Sequence, residues 1–295
     1  MKPSSFEYIK CSSMDETVRL LHQFGDSCKI IAGGQSLVPL MNMRLTSVER
    51  LIDINDVSDL DYIREDGQCI QIGSITRQKE LEFSEIIKSR SPILAEAVRN
   101  IGHPQIRARG TVGGSLAHAD PAAELALVFL TLDAELVLSS VTGDRNISID
   151  DFLISEFATS LKYDEIIREI QFKVPHFGGF SFEEFSIRRG DFAIASASCL
   201  MNARESGEVE YIRVGIGGIT PRPVVLKVLA EKLIGKNMSE DLVQDSLSSI
   251  DELAETVSGD IHSSPEFKIN ICKTIVNKTI WKAYDMATNN KGGES

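Results

Sequence analysis

Two glycine pairs, each set among small polar residues, constrain this chain more than any other feature. The first lies in Ile30-Ile31-Ala32-Gly33-Gly34-Gln35-Ser36-Leu37. An apolar strand running into paired glycines lets backbone N–H groups turn to one side and form a concave anion site. Gln35 and Ser36 add side-chain donors there. The second pair lies in Gly110-Thr111-Val112-Gly113-Gly114-Ser115-Leu116-Ala117-His118-Ala119-Asp120-Pro121-Ala122-Ala123-Glu124. Hydroxyls flank it, and it leads into a helix N-terminus whose positive partial charge and free N–H groups suit a phosphate or ribose hydroxyls. Taken alone, the first loop reads equally well as a tight turn, and Asp120 reads as a simple N-cap. Taken together, in consecutive small α/β units, the loops point to a long diphosphate ligand. Neither is a Rossmann fingerprint or a P-loop: G-x-G-x-x-G and G-K-[ST] are both absent, and Pro39 interrupts any helix directly after the first loop.

Organisation along the chain follows from local signals. Ser13-x-x-Glu16 is a capping box that opens a helix ending at Gly25. Lys29 to Ala32 and Arg50 to Ile54 read as short strands, so residues 1–56 form a first unit. Asp66-Gly67 marks a hairpin. Helices are expected after Thr76, from Pro92 to about Ile101, and after Asp120-Pro121. Leu125 to Leu132 reads as a buried helix. Glu135 to Leu138 and Ile166 to Val174 read as strands, which closes a second unit at residues 57–175. A composition change at Pro175 to Gly179 opens a third part, 176–288, with strand-like runs Phe180–Ile187, Phe192–Met201 and Val209–Ile219. Helices from Pro223 to Leu233 and from Ser239 onward follow, and 289–295 is expected to be a disordered tail.

Composition narrows the function. A net charge of −12 lacks the concentrated basic face that nucleic acid or an anionic membrane requires. Polar residues in Met1 to Lys10 stand where a signal peptide needs an apolar core, and no apolar run has transmembrane length, so the cytoplasm is the expected location. The five cysteines, Cys11, Cys28, Cys69, Cys199 and Cys272, form no C-x-x-C pair, so they are expected to be buried thiols. Redox work here therefore implies an organic cofactor. His118 is the most reactive-looking side chain in the second loop, yet no histidine, cysteine or acid supports it at metal or triad spacing. A local structural role fits it better. No residue is nominated as catalytic or as a metal ligand.

A third segment, Ser186-Ile187-Arg188-Arg189-Gly190-Asp191-Phe192-Ala193, places two arginines and an aromatic ring at a turn. Alone it reads equally well as a charged strand end. In order and spacing, Ala32 to Leu37, Pro104-Gln105-Ile106-Arg107-x-x-Gly110 to Ser115, and Arg188-x-Gly190-Asp191-Phe192-Ala193 resemble the FAD subunit, or medium chain, of molybdenum hydroxylases of the carbon monoxide dehydrogenase and xanthine dehydrogenase family. The resemblance spans essentially the whole chain. It implies an α+β chain with a two-subdomain FAD-binding fold of the vanillyl-alcohol-oxidase type, followed by a C-terminal domain of antiparallel sheet and helices.

The same resemblance implies site roles. Ile30, Ile31, Ala32, Gly33, Gly34, Gln35, Ser36 and Leu37 would wrap the pyrophosphate. Thr111, Gly113, Gly114 and Ser115 would hold diphosphate and ribose. Glu124 takes the place of a usual aspartate at the adenosine ribose, with Asp120 as an alternative. Ile101 and Phe192 would approach the isoalloxazine, Ile167 would line the adenine side, and Arg188 and Asp191 complete the set. Three departures stand out: Glu124 is one methylene longer than aspartate, Ser115 replaces an asparagine, and Glu183 and Glu184 stand where relatives carry a lysine. The implied activity is electron transfer by an oxidoreductase subunit. Molybdopterin would sit in a large partner subunit and two-iron iron–sulfur clusters in a small one, the whole assembling as a dimer of heterotrimers, with peripheral attachment to the inner membrane through the complex as an alternative to a free cytoplasmic location. A free-standing FAD-dependent oxidase and a non-catalytic scaffold are the alternatives.

Overall fold

The computed structural model describes residues 2–174, 177–261 and 263–289. The chain forms two compact units that are interleaved in sequence. Met1–Arg90, His103–Ala119 and Asp133–Lys173 make the first, and Ser91–Gly102, Asp120–Leu132 and Val174–Ser295 make the second. This grouping runs across the chain-order divisions at residues 56 and 175.

The first unit begins with a parallel three-stranded sheet of β1 (Glu7–Lys10), β2 (Cys28–Ile31) and β3 (Arg50–Asp53), in the order β1-β3-β2. Ile31 lies opposite Asp53, so the strand end that enters the first glycine loop sits beside the end of β3. The Met14–Phe24 helix joins β1 to β2, and Ser13 Oγ accepts from Glu16 N at 3.2 Å as the capping signal requires. The Glu16 carboxylate differs from the expected box, because it accepts from Ser12 N at 2.9 Å. Val18 and Leu21 of that helix pack with Cys11, Ile52, Ile54 and Val57.

An antiparallel sheet completes this unit. Its strands are β4 (Ile63–Asp66), β5 (Cys69–Gly73), β6 (Glu135–Ser140), β7 (Gly143–Ser148) and, beyond the small β8 (Leu153–Ser155) and β9 (Ala158–Thr159) pair, β10 (Ile166–Lys173). The order is β4-β5-β10-β6-β7. Gly67 turns the β4–β5 hairpin at φ +61°, as the Asp-Gly signal anticipates.

In the second unit β11 (Gly179–Phe185), β12 (Ala195–Ala203), β13 (Val209–Gly217) and β14 (Val224–Val225) form an antiparallel sheet in sequence order. Strand alternation sorts its faces. Ala195, Ala197, Cys199 and Met201 join a core with Ile269, Cys272, Val276, Ile280 and Ala283 of the Pro265–Asn289 helix. On the opposite face, Gly215 approaches Thr131 and Leu127 of the Glu124–Thr131 helix so closely that a Cβ would lie 2.6 Å from Thr131 Oγ1. That helix is buried from Leu125 to Thr131, as its apolar run requires.

Two expected helix starts shift. Val224 and Val225 pair with β13, so the helix expected from Pro223 begins at Lys227. Asp120 is not an N-cap, since the helix starts at Glu124 behind Ala123. The boundary residues Pro175 and His176 lie outside the described residues. So does the expected tail beyond Asn289, which itself ends the last helix. Among the described residues no helix is long and apolar enough to cross a membrane.

Candidate functional site

The first glycine loop leaves β2 at Ile31 and enters a helix, Leu37–Asn42. Pro39 does not prevent that helix, contrary to the sequence expectation. It occupies the first turn, where a proline sacrifices no intrahelical hydrogen bond. Gly34 sits at φ +70°, a conformation that turns the chain at glycine without strain. Among the described residues, the backbone N–H groups of Gly33, Gly34, Gln35, Ser36 and Leu37 donate to no protein acceptor. Consecutive unsatisfied amides of this kind form an anion-binding concavity. The Gln35 side chain does not extend outward but donates to Gly33 O at 3.0 Å, which stiffens the turn. Ser36 makes no side-chain cap bond.

The second loop is built differently. Thr111 caps the Val112–His118 helix, its Oγ1 accepting from Gly114 N at 3.2 Å. Val112 N donates to Thr76 O at 3.0 Å, Gly113 N to Ser74 O at 2.8 Å and Ser115 N to Thr111 O at 3.1 Å. The loop thus forms a helix of its own, ahead of the one expected after Asp120-Pro121, and the amides of its first turn are engaged within the protein. They anchor the loop to the segment after β5, and a Cβ at Gly113 would lie 2.5 Å from Ser74 Cβ. Gly114 is exposed and Ser115 half-exposed, so the loop offers an open glycine face and a hydroxyl. His118 packs its ring against Phe157 at 5.1 Å, in keeping with a structural role.

The two loops touch. A Cβ on Gly33 would lie 2.3 Å from Arg109 O and 2.8 Å from Gly110 Cα. Residues that sequence reasoning did not single out hold this approach. Asn55 Nδ2 donates to Ala32 O at 2.9 Å, and Asn55 Oδ1 accepts from Arg77 Nη2 at 2.6 Å. Arg77 Nη1 donates to Arg109 O at 2.5 Å. Asp53 accepts from Asn55 N at 2.8 Å and from the Tyr8 hydroxyl. Burial works against ionising Asp53, but hydrogen bonds from Tyr8 and Asn55 outweigh it and hold the carboxyl below its ordinary range.

The remaining predicted residues are distributed as follows. Ile167 lies in β10 of the first unit and is only 3% exposed. Ile101, Asp120, Glu124, Arg188, Asp191 and Phe192 all belong to the second unit. There, Asp120 Oδ1 accepts from Ala122 N at 2.9 Å, which makes Asp120 a turn former. Ile101 N donates to Val98 O at the end of its helix, just before Gly102. Asp191 N closes a turn onto Arg188 O at 3.0 Å, with Gly190 at φ +90°, and this presents the Phe192 ring at 74% exposure. In the same unit, burial pushes Glu184 up to about 7, and its Oε2 has no hydrogen-bond partner among the described residues.

Comparisons with known proteins agree along nearly the whole chain. Residues 4–176 match the family described as the FAD binding domain in molybdopterin dehydrogenase, and 180–283 match the CO dehydrogenase flavoprotein C-terminal domain. The chain is 40% identical over 289 residues to the 6-hydroxypseudooxynicotine dehydrogenase complex subunit alpha of Paenarthrobacter nicotinovorans, covering 97% of each chain. It is 36% identical over 267 residues to the carbon monoxide dehydrogenase medium chain of Hydrogenophaga pseudoflava, covering 88% of this chain and 92% of that one. A solved carbon monoxide dehydrogenase from the same organism, lacking the Mo-pyranopterin moiety of its molybdenum cofactor, superimposes with a TM-score of 0.93 at 31% identity, covering 97% of this chain and 99% of the other.

Proposed function

The chain belongs to the family of FAD-binding subunits of molybdopterin dehydrogenases, and from that premise we propose that it is the FAD-carrying electron-transfer subunit of a heteromeric, cytoplasmic molybdenum hydroxylase. In this reading it receives electrons from two-iron iron–sulfur clusters in a small partner subunit and delivers them to an external acceptor. A large partner subunit carries the molybdopterin and the substrate, and the assembly is a dimer of such heterotrimers. The observation that carries the reading is the run of unpartnered amides at Gly33 to Leu37, set against a second glycine loop by direct contact. A diphosphate fits that concavity, because its oxygens accept what the protein leaves unsatisfied.

The residues divide the work by what they present. Gly33 to Leu37 hold the diphosphate with backbone amides, and Thr111, Gly113, Gly114 and Ser115 lie against its ribose side. Asp120 and Glu124 are assigned to the adenosine ribose, Ile167 to the adenine side, and Ile101, Arg188, Asp191 and Phe192 to the flavin end. Bound FAD supplies the redox chemistry, and the protein's part is binding, orientation and exclusion of side reactions. No side chain is assigned a catalytic acid or base role.

Purification tests the reading. The full chain should be yellow and hold one FAD. It should turn over no small substrate alone and should co-purify with an iron–sulfur and a molybdopterin chain. A colourless protein that ignores added FAD overturns the assignment, and substrate turnover by the isolated chain replaces it with a self-sufficient oxidase.

A further inference from the structure

The Arg77 guanidinium stands at the junction of the two glycine loops, and its surroundings leave it few other roles. Its position is dictated from the far side of the first loop. The Asp53 carboxylate can only accept hydrogen bonds, so Asn55 must turn its amide nitrogen toward Asp53 and Ala32 O. The amide oxygen then faces the other way and needs a donor, which Arg77 Nη2 supplies at 2.6 Å. The second arm of the fork holds Arg109 O, the same carbonyl against which Gly33 is pressed. The Arg77 backbone also pairs with Thr111 in an isolated antiparallel bridge. One residue therefore ties the support of the first loop to both ends of the second loop's turn.

Charge adds a second observation. Both side-chain bonds of Arg77 go to neutral oxygens, and among the described residues no carboxylate pairs with it. A half-buried guanidinium whose hydrogen bonds go only to neutral oxygens, with Glu80 acting on it at longer range, keeps a local preference for an anion beside the unsatisfied amides.

We propose that Arg77 is a positioning residue for the dinucleotide diphosphate. It sets the separation of the two glycine loops through Asn55 and Arg109, and its charge, which no carboxylate engages by hydrogen bond, adds to diphosphate affinity. This inference rests on the FAD reading above. Lysine keeps the charge but cannot span both oxygens, so the two parts of the role are separable.

The test uses the full-length chain stripped of flavin and titrated with FAD at several salt concentrations. Wild-type binding must be seen first, because its absence refutes the FAD reading and not the role of Arg77. Arg77→Gln is expected to weaken FAD binding by about 10- to 100-fold, the range of a lost charged hydrogen bond, and to flatten the salt dependence. Arg77→Lys is expected to bind FAD with intermediate affinity and to keep the salt dependence. Asn55→Leu should weaken binding, and in combination with Arg77→Gln should add little, since both break one bridge. FAD affinity unchanged in Arg77→Gln overturns the proposal. A loss with undiminished salt dependence overturns the charge role, and Arg77→Lys binding as tightly as wild type overturns the spacing role. Should Arg77→Gln not fold, Arg77→Lys decides the spacing role, and the salt dependence of the uncharged Arg77→Met against wild type decides the charge role.

Discussion

Replacing Gly33 by alanine measures how firmly the two glycine loops are held together. The new Cβ would lie 2.3 Å from Arg109 O, 2.9 Å from Arg109 C and 2.8 Å from Gly110 Cα. Ordinary contact requires about 1 Å more, and every obstructing atom is backbone, so no side chain can swing away. The Arg77 bond to Arg109 O, at 2.5 Å, resists the separation. Overpacking at a rigid contact costs about 1–3 kcal/mol. If the strain is relieved by parting the loops, FAD affinity falls by about 10- to 100-fold. Gly67→Ala is the control. Its left-handed backbone, φ +61°, adds a strain that Gly33 lacks, but nothing lies within 4 Å of the added Cβ, so it should lose about 1 kcal/mol of stability and no FAD affinity. Gly34→Ala combines φ +70° with a Val38 methyl 3.1 Å away that can yield, and should fall between them. Titration of flavin-stripped proteins with FAD, together with thermal unfolding, separates the three. Gly33→Ala binding FAD like wild type, or Gly67→Ala losing FAD to the same extent, would refute the close-contact argument.

Other perturbations test separate parts of the account. Burial raises the folded-state value of Glu184 to about 7, so its contribution is present below the unfolded value of about 4.3 and is lost as pH rises through 7. Discounted for partial exposure, the penalty above that point is on the order of 2 kcal/mol. Glu184→Gln should therefore gain stability over wild type as pH rises from about 5 to about 8, and parallel pH–stability curves would contradict this. Asp53 has the opposite sign: its depressed folded-state value means its contribution holds above about pH 4 and vanishes as pH falls through that depressed value. FAD retention in Asp53→Asn should be weaker at neutral pH, because the asparagine no longer forces the Asn55 orientation; equal retention would refute that link. Thr111→Ala removes the acceptor for Gly114 N and should destabilise the chain by about 1 kcal/mol in denaturant titrations, and an unchanged midpoint would show that the cap carries no weight.

Much of the architecture was legible because local signals and tertiary contacts agree. Ser13, Pro92 and the Asp66-Gly67 turn act within a few residues of themselves, and the Leu125 to Leu132 run is apolar on all sides because its helix is enclosed. Pro39 misled because a proline breaks a helix only beyond its first turn, and the sequence does not show where that turn falls. Asp120 misled because an aspartate before proline serves a turn as readily as a cap. At the site, the glycine pairs were visible, while the reason for each glycine was not. Gly33 is set by a carbonyl 76 positions along the chain, an encounter that no local pattern encodes. Asn55 and Arg77 were missed for the same reason, although the polar Asp53-x-Asn55 at a strand end was the available signal. The interleaving of the two units likewise depends on which sheet buries the Pro92–Val98 and Glu124–Thr131 helices, and that is decided by long-range packing.

Amide hydrogen exchange on the full-length chain, with and without FAD, most directly probes the claim that backbone N–H groups of the first loop hold the diphosphate. FAD should slow exchange across Gly33 to Leu37, whose amides have no protein acceptor, and change it little at Val112 and Gly113, which are already bonded to Thr76 and Ser74. Tight FAD binding that leaves exchange at Gly33 to Leu37 unaltered would place the diphosphate elsewhere and contradict the account.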